Sequence, residues 1–171
     1  MDYDDYVESG TISSISLVEK RYIAQFLEYT YKDNVKACKD LVNTHPRWSI
    51  ISGYYAMHDI SKLYLLLAFD IEFTKPSVHD AVIKALKKLV PKGDIIQYLE
   101  NADSEFKKIQ RLDYFLAKGK EHREKTQYYT ALSYSNKEVS VKAQQFYNSI
   151  VKNYISIIEE LINEELVKEV E

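Results

Sequence analysis

The chain of 171 residues has a single cysteine, Cys38. One thiol forms no intrachain disulfide and no cysteine-rich zinc centre, and it fits a reducing compartment better than an oxidising one. Cys38 reads as a small buried hydrophobe rather than a reactive thiol. Four Gly and three Pro punctuate the whole sequence, too few for the many tight turns of a sandwich or barrel of short strands. The longest uninterrupted apolar run, Leu63 to Phe69, falls far short of the roughly 20 residues of a membrane-crossing helix. Residues 1–10 are acidic through Asp2, Asp4, Asp5 and Glu8 and lack the basic-then-apolar pattern of an export signal. A soluble, cytoplasmic protein without a membrane partner is the expectation. A net charge of −3 excludes a uniformly basic nucleic-acid binder but leaves room for a local basic patch. The sequence has no glycine-rich phosphate loop, no G-x-S-x-G and no H-E-x-x-H, and no His lies three residues after a Glu. The motifs of P-loop, serine-hydrolase, zincin and di-iron chemistry therefore have no carrier, and no metal or cofactor is expected.

What is present is helical periodicity. Hydrophobic residues make up 46% and charged residues 29% of the chain, the balance of a globular protein of single-domain length. Residues 1–13 read as a mobile acidic lead-in and residues 14–171 as one domain. A first helix is expected over about 15–43, with an apolar stripe of Leu17, Val18, Tyr22, Phe26, Tyr29, Val35, Cys38 and Leu41 or Val42 at spacings of mostly three or four. Thr44-His45-Pro46 breaks it, because a residue before proline is pushed out of the helical region while proline itself suits a first turn. A second helix, to about Phe69, is apolar on most of its circumference and reads as the central one. Ser77 with Asp80 suggests a capping box opening a shorter helix over about 78–90. A fourth helical region is expected over about 94–127 and a last one over about 136–168, after a capping box of Ser135 and Glu138. Its inward face comprises Val139, Ala143, Phe146 or Tyr147, Ile150, Tyr154, Ile157 or Ile158, Leu161 and Ile162. The fold class is all-α, an up-and-down bundle of about five helices.

Three segments, in order, are more specific than periodicity. Ser52-Gly53-Tyr54-Tyr55-Ala56-Met57-His58-Asp59-Ile60-Ser61-Lys62-Leu63-Tyr64-Leu65-Leu66 resembles the "YYAM-H-A-K-ALL" second helix of HEPN-domain proteins, the small helical partners of minimal nucleotidyltransferases. Ser77-Val78-His79 is similar to the family's "S-x-H" at the start of its third helix. Arg123-Glu124-Lys125-Thr126-Gln127-Tyr128-Tyr129 is similar to the "R-x-x-A-D-Y" before its final helix, with Gln127 in place of the Asp. The resemblance spans roughly residues 15–165. It implies a HEPN-like bundle, a homodimer, and a nucleotidyltransferase partner in a toxin–antitoxin or stress system. HEPN ribonucleases carry an Arg followed at short range by a His. Here Arg47 to His58 and Arg111 to His122 are each separated by ten residues, so the ribonuclease pair is absent and a non-catalytic module is favoured over an enzyme.

The candidate ligand-binding residues are Tyr54, Tyr55, His58, Lys62, His79, Arg123 and Tyr128. His58 and Lys62, four apart, share a helix face beside Tyr54 or Tyr55. A neutral imidazole and an ammonium there would suit a phosphate; equally, His58 would be hydrogen-bonded in a tyrosine-rich core while Lys62 reaches solvent. His79, at the start of the third helix, lies where backbone N–H groups favour an anion, or is simply a surface residue near a cap. Between Lys107 and Lys125 seven basic residues stand against three acidic ones. With Tyr114, Tyr128 and Tyr129 they form the best patch for a nucleotide or RNA, unless the run is only a solvated face. The alternative function is a metal-independent ribonuclease with a divergent site, in which His58 and His122 serve as general acid or base and Arg123 holds the scissile phosphate.

Overall fold

The computed structural model describes residues 1–74, 78–90, 93, 95–104 and 136–168. The acidic N-terminus is not a lead-in but part of the domain. Tyr3–Glu8 forms a helix, α1, closed by a reciprocal capping box in which the Asp2 and Asp5 side chains accept from each other's backbone N–H groups. Its Tyr6 is buried and donates to Asp80 Oδ2 at 2.7 Å. Gly10 takes the left-handed conformation that turns the chain, with φ of 67°. Ile12–Ser14 then forms β1, antiparallel to β2, Ile71–Phe73, with Ile12 opposite Phe73 and Ser14 opposite Ile71. This small ribbon has no counterpart in the expected bundle. Three residues are too short for alternation to be visible in a sequence.

Between the two strands lies a helical hairpin. α2, Leu17–Leu41, starts at the N-cap Ser16, and α3, Pro46–Phe69, has proline in its first turn, as the Thr44-His45-Pro46 break requires. Lys20 near the start of α2 pairs with Asp70 just past the end of α3 at 2.7 Å. At the opposite end Ser49 Oγ donates to the Cys38 carbonyl at 2.6 Å, so the two helices run antiparallel. Asp70 is the left-handed C-cap of α3, with φ of 53°. α4, Val78–Leu89, and a helix at 95–104, α5, follow. The last helical stretch is α6, Asn136–Phe146, a π-helical turn at Tyr147–Val151, and α7, Lys152–Lys168. α6 and α7 flank α3 on the side of Gly53 and Ser61 and also touch α2, where Tyr31 donates to Glu159 Oε1 at 3.1 Å.

α3 is the central helix, as its near-continuous hydrophobicity implied. Its Tyr54, Met57, Ile60, Leu65 and Leu66 are buried with Leu86 of α4, Leu99 of α5 and Tyr154 and Ile158 of α7. Two side-chain assignments change. On α2 the buried residues are Leu27, Tyr31 and Cys38, whereas Leu17, Val18, Tyr22, Phe26 and Tyr29 of the expected core stripe are exposed. The expected stripe divides, because packing on α3 turns its N-terminal members outward and buries Cys38 and Val42 together with Leu27 and Tyr31. In the last helix the π turn inserts one residue into the helical phase, so Val151 at its end and Ile155 beyond it join Tyr154 and Ile158 inside, while Ile150 and Ile157 are only half-buried. Among the described residues, no helix is long and apolar enough to cross a membrane.

Candidate functional site

Four of the seven candidate residues converge where α4 crosses α3. The helical repeat of α3 brings His58 one turn after Tyr54, with ring centroids 4.5 Å apart. His79, in the first turn of α4, stacks on Tyr54 at 5.2 Å with the rings inclined by 29°. It meets His58 edge-on at 4.4 Å, and Tyr55 packs edge-on against it at 5.7 Å. Tyr54 is anchored from α5, its hydroxyl donating to Asp103 Oδ1 at 3.1 Å. Asp80 accepts from Tyr6, so α1 helps fix the start of α4; the capping box expected between Asp80 and Ser77 involves a residue outside the described ones.

His58 is 1% exposed, and neither ring nitrogen has a hydrogen-bond partner among the described residues. Of the hydrogen-bonded core histidine that one reading of the sequence expected, the burial is found, and no hydrogen bond is found among the described residues. Desolvation, then the neighbouring His79 and Lys62, hold its pKa well below the ordinary 6.5, so the ring is neutral at pH 7. His79 is lowered too, by desolvation and by Lys62, with Asp103 and Asp59 opposing. Burial and the Asp103 carboxylate push the Tyr54 hydroxyl far above its ordinary value, which keeps it a donor.

Lys62 stands one turn beyond His58, but its ammonium neither reaches solvent freely nor waits for an anion. It pairs with Asp59 at 2.6 Å, and Asp59 also accepts from Asn34 of α2 at 3.3 Å. The Asp59–Lys62 spacing was visible in the sequence as an i,i+3 pair. Asp103 carried no such signal, because its role depends on how α5 docks. The remaining candidates, Arg123, Tyr128 and His122, and the basic stretch from Lys107 to Lys125 lie outside the described residues. Among the described residues no group of three or more His, Cys, Asp or Glu is placed to hold a metal ion.

Chemically the cluster is an aromatic ledge over an enclosed imidazole. Tyr55 is its most exposed ring, and His79 is half-buried behind it. The ledge offers flat surfaces for stacking, and it offers no solvent-facing imidazole at His58 for proton shuttling. No protein-family model, curated protein or solved structure matches the chain.

Proposed function

We propose that the chain is a non-catalytic binding module of the HEPN type, which takes a nucleotide or a short single-stranded nucleic acid against the Tyr55–His79 ledge. In this reading a base stacks on Tyr55 and His79, while Lys62 stays paired with Asp59. The sequence resemblance supports the family, and with it a nucleotidyltransferase partner in a toxin–antitoxin or stress system. The observation that carries the non-catalytic half is the burial of His58. A general acid or base needs contact with its substrate and a pKa near the working pH, and His58 has neither an exposed face nor a pKa near 7.

The test is a thermal-shift and calorimetric titration with ATP and with a short single-stranded RNA, each sample also run on an RNA-integrity gel. A ligand selective for the folded state raises stability in a saturable way. Stabilisation with intact RNA, lost in Tyr55→Ala, is the expected result. Absence of saturable stabilisation, or RNA loss that disappears in His58→Ala, overturns the proposal.

A further inference from the structure

The aromatic ledge forms a corner. Tyr55 and His79 meet at 65° with their ring centroids 5.7 Å apart. Buried Tyr54 touches both, stacked on His79 and edge-on to Tyr55. A flat ring laid on Tyr55, the most exposed of the three, therefore turns its edge toward His79, and the corner seats one base rather than a run of stacked bases.

The charges around this corner do not suit an anion. Lys62 is the cation whose charge reaches both imidazoles, and its ammonium is held by Asp59 at 2.6 Å. Asp59 and Asp103 each bring a carboxylate to bear on His79. Desolvation leaves both imidazoles neutral at pH 7, so neither adds positive charge. The first turn of α4, where backbone N–H groups would favour an anion, already carries the Asp80 carboxylate. Among the described residues, then, a phosphate at the ledge would meet two carboxylates and one ammonium that is already paired. We propose, resting on the binding reading given above, that the ledge recognises the base of its ligand and not the phosphate. The ligand class is a single unstacked nucleobase whose phosphates, where it has them, stay in solvent. A phosphate-held ligand would gain affinity with each added phosphate and lose it steeply with salt, whereas a stacked base does neither.

Calorimetric titration of the full chain with adenosine, AMP, ATP and inorganic tripolyphosphate tests this. The three adenine ligands are expected to share one dissociation constant to within about threefold, and that of ATP to hold to within about threefold between about 50 and about 200 mM salt. Tripolyphosphate should give no saturable heat. Tyr55→Ala should weaken adenosine and ATP alike, by roughly tenfold, because both lose the same stacking surface. ATP tighter than adenosine by about tenfold or more, or saturable binding of tripolyphosphate, overturns this inference while the binding module stands. If neither adenosine nor ATP binds, or if both bind Tyr55→Ala undiminished, the ledge is not the site and both readings fall.

Discussion

Gly53 sits in the middle of α3, where the sequence alone favours replacing it. Alanine in a helix interior is better than glycine by about 1 kcal/mol. The packing says the opposite. A Cβ at Gly53 would lie 2.8 Å from Cys38 Sγ, 2.8 Å from Val151 Cγ2 and 2.9 Å from Phe146 Cε1. All three neighbours are buried, and they come from α2, from the π turn and from the end of α6. Glycine is the residue that lets these elements close on α3. With three contacts too short at once, the cost belongs at the upper end of the overpacking range, about 3 kcal/mol. Set against the propensity gain, Gly53→Ala should lose about 2 kcal/mol, which in a chain of this length is a fall of about 4–8 °C in Tm. Urea unfolding followed by far-UV circular dichroism measures it, with Gly93→Ala as the control, because nothing lies within 4 Å of a Cβ there. The loss should shrink in a Cys38→Ala background, where one of the three contacts is gone. Gly53→Ala as stable as the native protein, or equal effects at Gly53 and Gly93, would refute the close-approach argument.

Other outcomes follow from the buried polar groups. Ser61 Oγ donates to the Met57 carbonyl at 2.5 Å and so accepts from the fully buried Tyr154 hydroxyl, also at 2.5 Å. Ser61→Ala orphans that hydroxyl and should cost about 1–3 kcal/mol, whereas adding Tyr154→Phe should recover much of the loss; additive losses in denaturant titrations would contradict the pairing. For His58 the folded pKa lies below the unfolded 6.5. Above pH 6.5 the ring is neutral in both states. As the pH falls below 6.5 the unfolded chain gains its proton first, and stability drops by at most about 1.4 kcal/mol per pH unit from this residue. His58→Gln should flatten that slope, as read from unfolding free energies between pH 7 and pH 5; an unchanged slope places the titration elsewhere. Cys38 is wholly buried and its thiol is pushed up to about 11, so a thiol-reactive dye should label it only as fast as the protein unfolds. Rapid labelling of the native state would show that the contact between α2 and the π turn opens.

The sequence by itself determined the helical class, the break at Pro46, the span and centrality of α3, the burial of Cys38 and a face on which His58 lies beside Tyr54 or Tyr55. These depend on the 3.6-residue repeat and on proline geometry, which act over a few neighbouring residues. Tertiary structure decided the rest. Over the first half of α2 two apolar stripes compete, and nothing within the helix says which one α3 covers; local reading chose the one that stays exposed there, while Cys38 and Val42 of the same expected stripe are buried. Ile155 entered the core because a π turn shifted the phase by one residue, a change the smooth hydrophobic pattern does not announce. β1 and β2 are defined only by each other, across the whole helical hairpin. His79 reaches Tyr54, and Asp103 its hydroxyl, through contacts between residues far apart in the chain. That neither ring nitrogen of His58 has a partner among the described residues is a property of the space around the ring, which exists only once α3 and α4 have closed.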